Sequence, residues 1–189
     1  MGTFADITLK KKAAEEIEHL AFYDPLTNLP NRRLFQERLR QALTSSLRTG
    51  KTGVLFFIDL DNFKEINDTL GHDMGDLLLQ QVSDRLNTCV RGDDTVARLG
   101  GDEFVVMLED LSEEQAEAIK QAETIANKIL ALINQPFNLA HHDYSCTPSI
   151  GATLFKGYQR SMEELLKQAD IAMYQAKNAG RNAFCFFEP

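Results

Sequence analysis

Cysteine and long apolar segments are both scarce in this sequence. The three cysteines, Cys89, Cys146 and Cys185, are odd in number, far apart and without a CxxC spacing. That pattern argues for a reducing compartment and against both a disulfide framework and a metal site built from thiolates. Apolar runs such as residues 54–58 are far shorter than the roughly 18 residues that a membrane-crossing helix needs. The charged N-terminal segment has no signal-peptide core, so we expect a cytoplasmic chain without a membrane segment.

Basic residues are too few for a protein that binds the nucleic-acid backbone. The 189 residues include 20 Lys and Arg against 28 Asp and Glu, a formal net charge of −8. Non-specific affinity for nucleic acid comes from clustered cations, so no nucleic-acid partner is expected, while a small anionic ligand remains open. The length suits one domain with a short appendage, and such a chain buries roughly two-thirds of its unfolded surface.

Residues 1–20 differ in pattern from the rest of the chain. Leu9, Ala13, Ile17 and Leu20 recur at helical spacing among Lys and Glu, which predicts a solvent-exposed stalk or linker helix. The segment is too short to establish a coiled coil. We therefore divide the chain into a stalk at residues 1–20 and one domain at residues 21–189.

The remaining pattern alternates helices and strands. Helices are predicted to begin after a cap at Asn31, at about residue 73, and after capping-box spacings at 112–115 and 161–164. Gly180 is predicted to end the last of these helices. Strands are predicted at 54–58, 95–99, 102–108, 137–139, 144–154 and 183–187, with a tight turn at Gly100 and Gly101. The predicted fold class is α+β (mixed α/β), a central mixed sheet with an antiparallel hairpin, covered by helices.

Carboxylates follow the predicted central strand and the glycine turn. Asp59 and Asp61 are two residues apart, which on a strand is the same face, and Asp102 and Glu103 lie at the hairpin tip. If the hairpin pairs beside strand 54–58, these hard oxygen ligands meet at one sheet edge and favour Mg²⁺ with substrate phosphates. The alternative is that Asp59 and Asp61 only cap turns and that the hairpin is an ordinary one.

Lys64, Lys177 and Arg181 could hold such phosphates. The four-residue spacing of Lys177 and Arg181 brings them together on a helix, provided that the helix does not break at Gly180. The alternative for this pair is that they complement the dipole at a helix C-terminus.

Four motifs occur in order along the chain. They are DPLTNLPNR at 24–32, DLDNFKEIND with the following GH and GD pairs at 59–76, RLGGDEF at 98–104, and AKNAGRN at 176–182. All four resemble motifs of the GGDEF-domain diguanylate cyclases, in the order of that family. The resemblance covers residues 20–189, almost the whole chain.

The resemblance implies a fold similar to the catalytic palm of nucleotidyl cyclases and polymerases. It implies a Mg²⁺ or Mn²⁺ ion held by Asp59, Asp102 and the backbone carbonyl of Leu60. Asp102 is the implied carboxylate that assists proton removal, and Glu103 is implied to lie near the reacting centre. The implied reaction condenses two GTP molecules into cyclic di-GMP and two pyrophosphates across the two-fold axis of a homodimer.

The resemblance also implies how GTP is held. Asn67 and Asp76 would read guanine, with His72 close by, and a carboxylate accepts from the guanine N1–H, a donor that adenine lacks, so GTP is favoured over ATP. The positions implied to surround the phosphates are Phe63 and Lys64 in a loop, and Lys177 and Arg181.

Arg91 and Asp94 match the RxxD inhibitory site of many family members. Cyclic di-GMP bound there, on the face away from the GTP site, would inhibit the enzyme, whereas the alternative is a polar turn between a helix and a strand. Residues 4–8 resemble the segment that often joins an upstream PAS sensor to such a domain. A catalytically silent module that binds GTP or cyclic di-GMP is the alternative function. The short stalk predicts that the fragment is mainly monomeric when dilute.

Overall fold

Helices and strands alternate through residues 3–189, the part of the chain that the computed structural model describes. The helices are α1 (Thr3–Phe22), α2 (Arg32–Thr49), α3 (Phe63–Leu70), α4 (His72–Cys89), α5 (Gln115–Ile133) and α6 (Met162–Asn178). The strands are β1 (Thr52–Leu60), β2 (Thr95–Gly100), β3 (Glu103–Leu111), β4 (Phe137–Leu139), β5 (His142–Tyr144), β6 (Pro148–Phe155) and β7 (Ala183–Phe186). Residues 1 and 2 of the predicted stalk lie outside the described residues.

The main sheet has β1 at its centre. Its strand order is β2-β3-β1-β6-β7, while β4 and β5 form a separate two-stranded sheet. Neighbouring strands are antiparallel except β6 and β7, which are parallel. The predicted mixed sheet with an antiparallel hairpin is confirmed, and the hairpin pairs beside β1, which was the condition for the carboxylates to meet.

An apolar layer covers each face of this sheet. Phe56 and Ile58 of β1 pack with residues of α4 and α5, and Leu55 and Phe57 pack with residues of α2 and α6. A strand that is buried on both faces needs a continuous apolar run, which explains residues 54–58. Gly151 of β6 lies directly under α6, where a Cβ atom would overlap the α6 backbone.

The first helix contributes no buried residue to these layers. None of the residues of α1 is buried, and Phe4, Ile7, Leu9, Ile17 and Leu20 are exposed. The helix spans more residues than the predicted 9–20 pattern. Within residues 3–189, no helix combines the length and the apolar character that a membrane crossing requires.

Predicted helix ends are partly confirmed. The side chains of Asn31 and Ser161 accept hydrogen bonds from the N–H groups of residues three positions later, at 3.1 Å in both cases. The prediction of a capping box at residues 112–115 is wrong. The Ser112 hydroxyl accepts from Glu114 N–H instead, so α5 begins only at Gln115, and the amide oxygen of Gln121 accepts from Ser112 N–H.

Three strand and helix boundaries also differ from the prediction. The predicted strand at 144–154 is broken at residues 145–147, where the Cys146 side chain enters the core. The hairpin turn consists of Gly101 and Asp102, because Gly100 still pairs with Glu103. Helix α3 was not predicted, since only one of its eight residues is buried and so short a helix leaves little periodicity.

Arg85 fastens α4 to the end of α5. Its guanidinium donates hydrogen bonds to the carbonyl oxygens of Leu132, Gln135 and Pro136 at 2.6–2.8 Å, and it lies 3.5 Å from the centre of the Phe137 ring. The last carbonyl groups of a helix have no partner within the helix. One arginine therefore caps α5 and holds the turn that leads into β4.

Replacing Arg85 by Met should lower the free energy of unfolding by about 2 kcal/mol, because charged hydrogen bonds to three carbonyl groups are lost. Urea denaturation followed by circular dichroism measures this change. Arg160→Met, which removes an exposed arginine, is the matched control. Equal unfolding midpoints for the two variants would contradict the capping role of Arg85.

Candidate functional site

Three carboxylates meet where β1 ends and the β2–β3 hairpin turns. Asp59 is the register partner of Glu103 across the β1–β3 ladder. The N–H of Leu60 donates to the carbonyl oxygen of Asp102 at 3.4 Å, which brings the turn against the end of β1. The structure thus gathers Asp59, Asp102 and Glu103 at one sheet edge, as predicted from their positions after the strand and in the turn.

Arg98 holds the hairpin turn in place. Its side chain donates to the Gly101 carbonyl oxygen at 2.9 Å and to both carboxylate oxygens of Asp24 at 3.0 Å. Asp24 also accepts from the N–H and hydroxyl of Thr27. The turn needs glycine for its backbone conformation, because Gly100 and Gly101 have φ of 146° and 48°. Space is not the reason, since a Cβ atom at either position would meet nothing within 4 Å. Arg98 and Asp24 both lie in the sequence motifs, although neither was predicted to be a site residue.

The negative charges in this cluster repel one another. Burial, and next the negative charge of Asp59, raise the pKa of Asp102 to about 6. The pKa of Glu103 is also raised, first by burial and then by Asp59 and Asp170. Lys177 opposes these shifts, and its Nζ donates to Asp59 Oδ1 at 2.7 Å.

The donor set fits a hard divalent cation. Mg²⁺ is usually bound by one or two carboxylates and keeps its other positions for water and substrate oxygens, and here two mutually repelling carboxylates lie beside the last peptide of β1, at Leu60. The neighbouring Cys146 side chain lies in the core, and burial raises the pKa of its thiol to about 12. Among residues 3–189, no group of three or more His, Cys, Asp or Glu could hold a metal by itself.

Asp61 serves the fold and is not free to act with Asp59. Its carboxylate accepts from the hydroxyls of Thr147 and Ser149 at 2.6 Å each and from the N–H of Asn182 at 3.0 Å. The side chain is buried. Of the two interpretations left open for Asp61, the structure supports the turn-stabilising one, and Asp61 ties β1 to β6 and to the segment after α6.

That segment carries Arg181, but not on a helix. Helix α6 ends at Asn178, and Gly180, Arg181 and Asn182 all have positive φ. The condition for bringing Lys177 and Arg181 together by helical spacing, a helix that continues through Gly180, is therefore not met. Arg181 stays near the helix end because its N–H donates to the Ala176 carbonyl oxygen at 3.1 Å, and its side chain is exposed while that of Lys177 is half-buried.

Phe63 and Lys64 lie in the first turn of α3 and not in a loop, which corrects the prediction. Phe63 packs against the core and Lys64 is exposed. Asn62 precedes them with φ of 58° and makes no side-chain capping hydrogen bond. The first N–H groups of α3 therefore have no side-chain acceptor from Asn62. They begin at Phe63, four residues after Asp59 and three after Leu60.

The predicted guanine-reading residues lie on the α3–α4 pair. The Asn67 side chain packs against Gly75, where no Cβ atom would fit. His72 and Asp76 are exposed and one turn apart on α4. Asn67 of α3 therefore contacts Gly75 of α4, the residue before Asp76. His72 is close to Asp76 because the two residues are one turn apart on the same helix.

Arg91 and Asp94 lie at the opposite end of β2 from the carboxylate cluster, a separation of roughly 20 Å for a strand of this length. Both carboxylate oxygens of Asp94 accept backbone hydrogen bonds, from Arg91 N–H at 2.9 Å and Glu109 N–H at 3.1 Å. Both residues line a cleft of about 210 Å³. Asp94 therefore stabilises the turn, and Arg91 is exposed beside it.

Comparison with known proteins identifies a family that matches most of the chain. The family described as "Diguanylate cyclase, GGDEF domain" matches residues 21–183. The bifunctional diguanylate cyclase/cyclic di-GMP phosphodiesterase MucR of Pseudomonas aeruginosa is 45% identical over 94% of this chain and 25% of its own length. The cyclic di-GMP phosphodiesterase PdeR of Escherichia coli is 37% identical over 97% of this chain and 27% of its own length. The chain thus spans about a quarter of these relatives.

A solved structure is similar as well. The coiled coil and GGDEF domain of DgcB from Caulobacter crescentus, in complex with c-di-GMP, has a TM-score of 0.84 and 26% identity to this chain. The match covers 96% of this chain and 94% of that one. The similarity therefore includes α1 as well as the sheet and its helices.

Proposed function

Because the chain belongs to the family of GGDEF-domain diguanylate cyclases, we propose that it condenses two GTP molecules into cyclic di-GMP and two pyrophosphates. The observation that supports this most directly is the gathering of Asp59, Asp102 and Glu103 at one sheet edge, with Lys177 beside them. Such a cluster suits a phosphoryl-transfer site that works with a divalent cation.

Phosphate groups would lie between the start of α3 and the end of α6. The first N–H groups of α3 carry partial positive charge and favour an anion, and Lys64 lies in that first turn. Lys177 lies on the last turn of α6, and the exposed Arg181 follows the end of that helix. The triphosphate is thereby held by cations and backbone donors while the three carboxylates face its α-phosphate end.

Asn67 and Asp76 would hold the guanine base, with His72 beside it. A carboxylate accepts hydrogen bonds from the N1–H and amino group of guanine, whereas adenine has an unprotonated N1 that would leave the carboxylate unpaired. GTP is therefore the expected nucleotide.

In the reaction, the 3′-hydroxyl of one GTP attacks the α-phosphate of the other. Asp102 accepts the hydroxyl proton, Lys177 and Arg181 hold the leaving phosphates, and Glu103 lies beside the reacting atoms. Asp59, Asp102 and the Leu60 carbonyl would hold Mg²⁺ or Mn²⁺, which would supply positive charge to the phosphoryl group and make the 3′-hydroxyl more acidic. One domain holds one GTP, so two domains must face each other about a two-fold axis.

The direct test is to incubate the purified chain with GTP and Mg²⁺ and to separate the products by chromatography. Cyclic di-GMP and pyrophosphate should form in a ratio of one to two, and EDTA should stop the reaction. ATP in place of GTP should give no cyclic product. Unchanged GTP under conditions in which the chain is folded and dimeric would contradict the proposal.

A catalytically silent module that binds GTP or cyclic di-GMP is the second candidate. Its support is that some relatives, such as PdeR, are named phosphodiesterases and not cyclases. The two candidates differ in a simple way, because the silent module would bind labelled GTP or cyclic di-GMP in equilibrium dialysis without forming any product.

Asp59→Ala and Asp102→Asn should each leave the fold intact and reduce turnover to below a tenth of wild type, a loss of more than about 1.4 kcal/mol of transition-state stabilisation. Circular dichroism and the rate of cyclic di-GMP formation measure the two effects. The matched control is Asp84→Asn, because Asp84 is exposed on α4. Turnover above a tenth of wild type in Asp59→Ala would exclude Asp59 as an essential ligand.

Specific activity should rise with protein concentration. Helix α1 leaves Ala13, Ile17 and Leu20 exposed, and one short helix per chain offers little area for a stable dimer. Activity per chain measured across a dilution series, with sedimentation velocity on the same samples, gives the result. Constant activity well below micromolar concentration in a sample that sediments as a monomer would contradict the need for two facing domains.

Arg91→Ala should release the enzyme from inhibition by its product. We propose that Arg91, with Asp94, binds cyclic di-GMP at the cleft beside β3, since a guanidinium engages phosphate or the Hoogsteen edge of guanine. Progress curves, each normalised to its own initial rate, should bend later in Arg91→Ala than in wild type and in Arg160→Ala. Identical curves for all three proteins as cyclic di-GMP accumulates would refute an inhibitory site here.

A further inference from the structure

The ion pair between Lys177 and Asp59 engages a carboxylate that the proposed metal site also needs. The Lys177 Nζ lies 2.7 Å from Asp59 Oδ1, and the two side chains are only 24% and 13% exposed. Four ion pairs are recorded among residues 3–189, and this one lies within the carboxylate cluster. A partly buried pair of this kind is screened less by salt than a surface pair.

The surroundings explain why Asp59 needs a counter-ion. Burial, and next the charge of Asp59, raise the pKa values of both Asp102 and Glu103, and Lys177 lowers them. Arg32 also lowers the pKa of Glu103, but Lys177 is the cation that is in contact with Asp59. Removing it without another cation would leave like charges close together and partly out of water.

A metal ion and this ammonium group compete for the same carboxylate. Mg²⁺ binds carboxylate oxygens at about 2.0–2.1 Å, and a second positive charge within hydrogen-bonding distance of the same carboxylate would be repelled. Lysine has a flexible four-carbon stem, so its Nζ can leave Asp59 when another anion is within reach. The triphosphate, held at the start of α3, would be that anion.

We propose that Lys177 is the counter-ion of Asp59 in the nucleotide-free protein and that it moves to the triphosphate when metal and nucleotide bind together. The inference rests on the proposed function, because it takes the metal site and the triphosphate site from it. It adds a regulatory consequence: Lys177 weakens metal binding in the absence of nucleotide, and the nucleotide removes this penalty. By thermodynamic linkage, metal and triphosphate then favour each other's binding.

The test measures Mn²⁺ binding to the nucleotide-free chain from the electron paramagnetic resonance signal of free Mn²⁺. Lys177→Met removes the ammonium group and keeps the length of the side chain. It should bind Mn²⁺ at least about fivefold more tightly than wild type, the change expected if one partly buried ion pair no longer competes. Lys167→Met is the matched control, because it removes an exposed lysine from the same helix, about 15 Å from Lys177 along the axis. Its Mn²⁺ affinity should equal that of wild type.

Thermal unfolding gives a second readout that does not depend on activity. In EDTA, Lys177→Met should unfold at a lower temperature than wild type and Lys167→Met, because Asp59 loses its ion-pair partner. Added Mg²⁺ should raise the midpoint of Lys177→Met by more than that of the other two proteins. A midpoint that Mg²⁺ raises equally in all three would overturn the competition between Lys177 and the metal.

Equal or weaker Mn²⁺ binding by Lys177→Met would likewise overturn the inference. This failure can be told apart from failure of the proposed function, because cyclic di-GMP formation is assayed on the same wild-type sample. A wild-type protein that makes cyclic di-GMP, together with unchanged Mn²⁺ affinity in Lys177→Met, refutes only the role of Lys177 as a competing counter-ion. A wild-type protein that makes no product refutes the proposed function by itself.

Discussion

Repulsion between carboxylates at one sheet edge is the constraint on which the site depends. Asp59 and Glu103 are brought opposite each other by the β1–β3 ladder, and Asp102 follows in the turn that bonds to the end of β1. Like charges held this close need a cation. Lys177 supplies one in the protein alone, and the proposed divalent ion would supply more charge when the triphosphate is present.

The rest of the fold keeps these charges from moving apart. Arg98 bonds the hairpin turn to Asp24, and Asp61 bonds β1 to β6 and to the N–H of Asn182. In both cases one partner of the hydrogen bonds is a charged side chain, and such hydrogen bonds are stronger than those between two neutral groups. Apolar residues cover β1 on both faces. Eight of the nine residues of the strand that carries Asp59 are therefore buried.

Periodicity and turn chemistry were sufficient to predict the central strand, the antiparallel hairpin, and the caps at Asn31 and Ser161. They failed where several local solutions have similar energy, as at Ser112, whose hydroxyl bonds two residues ahead and not three, or where a helix is as short as α3. The carboxylate edge could be predicted because it needs only the pairing of β1 with the hairpin. Contacts between distant parts of the chain could not. Arg98 and Asp24 are 74 positions apart, and nothing in the local sequence of Arg85 indicates that it caps another helix.

A crystal structure with Mn²⁺ and a GTP analogue that has a non-cleavable bond between the α- and β-phosphates tests the metal site and the movement of Lys177 together. We expect an anomalous Mn²⁺ peak in contact with Asp59 and Asp102, and Lys177 Nζ on a phosphate oxygen, away from the 2.7 Å position that it holds beside Asp59 in the protein alone. A peak elsewhere on the chain, or a bound analogue with Lys177 still on Asp59, would contradict this expectation.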